Sequence, residues 1–405
     1  MAEASNITDK AMKGTNNFAN KAKAQFMRML KDKRYWVFLF LVLVIILVVF
    51  LLSIYTQNKY YKKETNAKKM KNDFISLFED IPTVAPINQD HKHLLRDYYV
   101  ASSYNSCVGG STEKDWVGMV PLQMVIKSGA RLLDFEVYSK DAQPIIAAGP
   151  GPNTNGKYCL KGTYNSILFR KAMNGVKLYA FNGRYCENST DPLFLNFRIK
   201  SNNPNIYEEM AKVMKDVFGK NFLEPKYRNN GLYNKSGGNI ANIPLLNLRE
   251  KVIIIVEDPN KNYEGSAFEE YINISGSGKN GTGMPYAKIY HHKAVVQSYD
   301  GPGVTEYCKK YLGICKAPPE AKLQTVWGTA MNLGVQFVMM KYNKVDDKLV
   351  GYLKWFSDVG SSFRLKVDKL RYFDKVIPKP KKQKKELSYG PRPIPLLGGD
   401  YNPSI

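Results

Sequence analysis

The chain has 405 residues, 44% of them hydrophobic, and 59 lysines and arginines against 36 aspartates and glutamates give a formal charge of +23. That length leaves room for one large domain or two modest ones. The basic runs lack interleaved aromatic platforms, which makes nucleic acid a poor fit as the partner that balances the charge.

Residues 1–34 are polar, and Phe18, Ala22, Phe26 and Leu30 recur every four residues, the spacing of a short amphipathic helix. Residues 35–55, YWVFLFLVLVIILVVFLLSIY, carry no charge. As a helix that run is about 30 Å long, the thickness of a bilayer core. Tyr35, Trp36 and Tyr55 sit at its ends, where amphipathic rings favour the interface. Thirty-four mostly polar residues precede it, which argues against a cleaved leader. Lys21, Lys23, Arg28, Lys31, Lys33 and Arg34 lie before the run and Lys59, Lys62, Lys63, Lys68, Lys69 and Lys71 after it. Such clusters suit an anionic lipid surface, and because they are balanced they do not fix orientation. Asn-x-Ser/Thr triplets at Asn188, Asn234, Asn273 and Asn280 favour placing the part of the chain beyond the apolar run on the non-cytosolic side.

Residues 56–90 read as a charged helical stalk closed by Pro82 and Pro86. From His91 the texture changes to short β-rich runs alternating with amphipathic helices, the pattern of βα units around a parallel sheet. Eight strands are predicted: 98–102, 132–138, 144–147, 193–200, 251–256, 287–290, 335–342 and 362–366. Ile253 to Val256 are continuously apolar, as in a strand buried on both faces. Asn205 and Glu208 are spaced as a capping box ahead of the stripe Ile206, Met210, Val213, Met214 and Val217. Leu349, Tyr352, Leu353 and Phe356 mark a later helix. Eight strands with intervening helices over 91–378 suit a (β/α)8 barrel, with a doubly wound sheet as the rival on composition alone, and residues 379–405 read as a basic, proline-rich tail, extended or disordered. Five cysteines allow one or two disulfides or none. His91, His93, His291 and His292 lack a third closely spaced ligand, so zinc is not expected, and surface or loop positions suit them. The GPGPNTNG run after Ala148 reads as a loop.

Several segments, in order, resemble the phosphatidylinositol-specific phospholipase C family: DYYVASSYNSC, SGARLLDFEVY, QPIIAAG, DPLFLNFRIKS and LREKVIIIVED, then YAKIYHH, WGTAMNLGVQFVMMKYN and GSSFRLKVDKLRY. The resemblance implies a distorted TIM barrel that cleaves a phosphoinositide diester with two histidines and a calcium ion. Carried over by position, the first histidine falls on Tyr104 and the second on Ala148. The calcium ligands fall on Asn105, on Asp134 and Glu136 with their order reversed, and on Arg198. Two phosphate-gripping lysines fall on Ile255 and Glu257, and an Arg-x-Tyr pair on Lys288 and Tyr290.

A phenol titrating near pH 10 is a poor base at neutrality, alanine transfers nothing, and a guanidinium beside two carboxylates competes with Ca²⁺. These substitutions lead to the expectation that Arg198 pairs with Asp134 or Glu136, that the family calcium site is lost, and that about 10⁴-fold or more of the catalysis is gone. The reading is a membrane-anchored, catalytically inactive phospholipase C-like protein with a structural or binding role. Its expected partners are the bilayer, an anionic or phosphoinositide headgroup held through Lys288, Tyr290 and Arg198, and a protein docked on the tail. Looser overall similarity is to proteins of large DNA virus particles. The alternatives are a working phosphodiesterase with an altered site and a membrane receptor or adhesion module.

Overall fold

A computed structural model describes residues 2–77, 81–149, 162–228, 239–276, 287–298, 300–320 and 322–374, with 381, 382, 384, 387, 394–396 and 399–401 beyond them. Two units result, Met1–Arg371 and Tyr372–Ile405. In the second, Ile394–Leu396 pairs antiparallel with Gly399–Tyr401.

The first unit opens with two helices, α1 (Ala2–Lys31) and α2 (Lys33–Leu77). The break falls at Asp32, whose carboxylate accepts the Arg34 N–H at 2.9 Å. α2 joins the apolar run and the stalk, which the sequence separates at 55/56, into one helix. Its apolar part is long enough to cross a membrane and is bare on every side. Its last turns are different, because Met70 and Phe74 are buried in the barrel's outer core.

Then come β1 (Tyr98–Ser103), α3 (Met119–Lys127), β2 (Leu132–Lys140), β3 (Gln143–Ala147), β4 (Ile167–Leu168), α4 (Phe169–Ala180), β5 (Leu193–Ile199), α5 (Asn205–Phe218), β6 (Val252–Glu257), β7 (Ile274–Ser275), β8 (Ala287–His291), β9 (Leu312–Lys316), β10 (Phe337–Met340) and β11 (Phe363–Leu365). Eight strands pair in parallel in the order β7-β6-β5-β2-β1-β10-β9-β8. The barrel is therefore nearly closed. No backbone pairing joins β7 to β8, but Gly276 lies so close to Ile289 that a Cβ would run into it.

The count of eight agrees with the sequence reading, but two members differ. Residues 144–147 form β3, which folds back antiparallel on β2, and residues 363–365 form β11, antiparallel to β1. Their places in the barrel are taken by β7 and β9. Strand alternation sorts the side chains into two sets. Val100, Leu132, Phe194, Ile255, Ile314 and Phe337 fill the interior, while Leu133, Leu195, Ile254, Cys315 and Val338 face the surrounding helices.

Other local expectations change. Asn205 is the first residue of α5, its N–H bound to Asn203 Oδ1 at 3.1 Å, and Glu208 accepts from the Ala267 N–H instead of closing a capping box. His91 is buried, its Nδ1 accepting the Ala85 N–H at 3.0 Å. Asn188 and Asn273 are buried too, bound to Ser362 Oγ and the Ile254 N–H, so neither can carry a glycan. Asn234, Asn280, Cys159 and most of the GPGPNTNG run lie outside the described residues. The four described cysteines, Cys107, Cys186, Cys308 and Cys315, are buried free thiols.

Candidate functional site

The mouth of a parallel barrel lies at the carboxyl ends of its strands. On β2 and β5 the register pairs Asp134 with Asn196 and Glu136 with Arg198, and on β6 Arg198 meets Glu257. Alternation points all five side chains inward, above Leu132 and Phe194. Asn105 follows β1 with φ 48°, a left-handed conformation that asparagine tolerates better than most residues. That turn aims its N–H at Asp134 Oδ2 (2.9 Å) and its Oδ1 at Arg198.

Arg198 sits at the centre. Nε and Nη2 donate to Asp134 Oδ1 and Oδ2 at 2.9 and 2.8 Å, a bidentate pair. Nη1 donates to Glu136 Oε1 at 2.8 Å and Tyr104 Oη at 3.0 Å, and Nη2 also reaches Asn105 Oδ1 at 2.6 Å. A guanidinium has five N–H bonds, so all are used. Burial works against its charge, but Asp134, Tyr104 and Glu136 outweigh burial and hold Arg198 above its ordinary range. Burial pushes the Tyr104 phenol up to about 12, against the pull of Arg198, so it stays neutral.

The network continues across the barrel. Asn196 Nδ2 donates to Asp134 Oδ1 and Glu257 Oε1 at 2.8 and 2.9 Å, and Glu257 Oε2 pairs with Lys316 Nζ of β9 at 2.7 Å. Glu136 Oε2 accepts from the Tyr138 hydroxyl (2.7 Å) and the Gly149 N–H (3.1 Å). Ala148 lies beside it, next to the β3 residue that pairs with Glu136. Lys200 and His291 complete the mouth. Burial lowers the pKa of Lys200, Glu136 opposes that shift, and Arg198 adds to it. Burial and then Lys316 lower that of His291, against Glu257.

The structure thus brings Tyr104, Asn105, Asp134, Glu136 and Arg198 together, and it takes Lys288 and Tyr290 out of the site. Ile289 packs with the barrel interior, so its neighbours on β8 point outward, and Tyr290 belongs to the outer core. The Lys288 ammonium lies 5.2 Å from the Tyr290 ring on that outer face. The inward positions are Ile289 and His291. Of the two expected lysine positions, Ile255 is interior core and Glu257 is the acid of the Lys316 pair. Sequence reasoning missed Asn196, Lys200 and Lys316. Period-two alternation from Arg198 points to the first two.

The donors that a calcium ion needs are several oxygens around one open point. Here that point holds a guanidinium, and Asp134, Glu136 and Asn105 all accept from it, so the residues present do not fit the ion. Among the described residues no three His, Cys, Asp or Glu side chains are grouped to hold a metal.

Residues 91–258 match the family model for the phosphatidylinositol-specific phospholipase C, X domain. That stretch belongs to the phosphatidylinositol-specific phospholipase C family. Among solved structures, the chain is similar to PLC21 of L. pealei, with 16% identity, a TM-score of 0.55, and 70% of this chain and 38% of that one covered. PLC21 of S. officinalis gives 18%, 0.56, 70% and 38%. At such identity the likeness is one of fold, and the match spans well under half of either relative. No curated protein matches the chain. The X domain here is thus one whose mouth is closed by ion pairs between β2 and β5 and between β6 and β9.

Proposed function

We propose that this chain is a membrane-anchored phospholipase C-like barrel that does not hydrolyse phosphoinositides and instead serves as a binding or structural module. The observation that carries the reading is the Arg198 cluster. It spends every donor of the guanidinium and both Asp134 oxygens where the family resemblance implies a metal, and it stands beside two positions, Tyr104 and Ala148, that lack an imidazole. General acid–base groups act near their pKa, and a phenol at about 12 is far from it. Lys200 stands at the edge of the mouth, a cation without a salt bridge among the described residues like that of Lys316 to Glu257, and it suits an anionic headgroup. The bare apolar length of α2 supports the anchor.

The test is hydrolysis of phosphatidylinositol and its phosphates by the full chain in vesicles, with and without calcium. Turnover indistinguishable from the lipid alone is expected under both conditions, with no shift of the thermal midpoint on adding calcium. Robust calcium-dependent turnover that Asp134→Ala abolishes would overturn the reading.

One observation favours a second reading, a phosphodiesterase with an altered site. His291 faces the mouth, and its lowered pKa leaves it neutral at pH 7, ready to accept a proton. That reading requires calcium-independent turnover lost in His291→Ala.

A further inference from the structure

The direction in which α2 runs along the barrel carries a consequence for what the mouth faces. Just past Tyr55, the Lys59 carbonyl accepts the Trp116 indole N–H at 3.0 Å. The Lys59 ammonium lies 4.2 Å from the Tyr164 ring centre, and that of Lys63 5.0 Å from Trp116. Two turns on, Asn66 Nδ2 donates to both Asp115 carboxylate oxygens at 2.8 and 3.0 Å. Asp115 and Trp116 follow β1, and the Tyr164 N–H is bound to the Asp115 carbonyl, so these contacts lie at the carboxyl ends of the strands. Beyond α2 the chain reaches the opposite end. Ile81 packs at Gly129, which precedes β2, and the Thr83 hydroxyl donates to Asp191, which precedes β5, at 2.6 Å. The chain therefore descends the barrel wall from mouth to floor, with the apolar run of α2 at the mouth end.

We infer that the mouth is held against the surface of the same membrane that α2 crosses, its rim at headgroup depth. The headgroups it meets are then those of its own bilayer and not of a facing one. The inference rests on reading the apolar run as a span. From Tyr55 to Asn66 the helix rises only about 16 Å, which places Trp116 and Tyr164 in the interfacial layer that such rings favour. Lys59 and Lys63 sit among them, and Lys200 lies at the mouth, a distribution complementary to anionic lipid. A flexible tether would allow any tilt, whereas here span and dock are one helix fixed by side-chain contacts.

Energy transfer tests this with the full chain in phosphatidylcholine–phosphatidylserine vesicles carrying an acceptor lipid. Donor labels go on Glu113→Cys at the mouth and Asn247→Cys at the floor, both exposed positions, in a Cys159→Ser background. The length of β5, seven residues, sets the two labels about 20 Å apart. Strong transfer from position 113 and weak transfer from 247 is expected, with none from either to acceptor-bearing vesicles added afterwards. Equal or reversed transfer would overturn the inference while leaving the anchor intact, and so would transfer from 113 to the added vesicles. A chain that fails to float with vesicles overturns the anchor itself, and the inference with it.

Discussion

Because all five N–H bonds of Arg198 are committed to four buried or half-buried neighbours, its removal strands two carboxylates that are almost fully shielded from water. Arg198→Ala is expected to cost about 3–5 kcal/mol, the usual penalty for breaking a buried pair from one side. Replacing Arg198, Asp134 and Glu136 together with Met, Asn and Gln should cost less, and urea unfolding in detergent distinguishes the two. A second residue gives a pH signature. Lys366 is buried with its ammonium on the Cys308 carbonyl at 3.0 Å, and burial lowers its pKa to about 7. A base depressed in the fold binds fewer protons there than in the unfolded chain, so stability rises with pH from about 7 towards the unfolded value near 10.5. Between pH 6 and 8 that rise is about 1.4 kcal/mol. Lys366→Met should remove it, so the native protein gains that much more than the variant over the same interval. At this scale the sequence was legible where a residue type could be placed on a strand by position, as with Arg198 between its two carboxylates. It was misleading at Lys288 and Tyr290. Matching a motif located the strand, but the face that packs inward is decided by Ile289 against the interior and Gly276.

Among the elements, α2 is the one that belongs to two environments. Phe74 is 4% exposed, its ring 6.1 Å from that of Tyr342. Phe74→Ala should therefore destabilise the barrel by about 3–5 kcal/mol, and hydrogen exchange should quicken across residues 59–75 before the strands respond. A stalk that merely tethers would show neither effect. The strands were legible where alternation or a long apolar run survives, as at Ile253 to Val256, whose side chains fill both interior and outer core. They were misread where the deciding signal is absent. β2 and β3 are joined through Asp141 and Ala142, both with positive φ, yet the sequence there contains no Asn-Gly or Asp-Gly to announce a hairpin. Gly313 reads as a breaker inside β9, but the strand needs it because a Cβ would meet Cys308 Sγ at 2.7 Å. β7 has only two residues, too few to show a period.

At the scale of the molecule, the polar network spans strands that are far apart around the sheet. Glu257 on β6 and Lys316 on β9 belong to opposite flanks of the open seam and pair at 2.7 Å. Such long-range pairing cannot be read from local patterns, because it exists only once the sheet has curled. The seam also separates residues up to Gly276 from those beginning at Ala287, with side-chain packing and that ion pair in place of backbone bonds. A barrel with an unlaced edge asks little of the peptide link that crosses it. Cut there, the protein should mend from two separately made pieces, 1–276 and 287–405, co-purifying after co-expression with native-like circular dichroism, whereas a cut between β5 and β6 should leave two fragments that stay strangers.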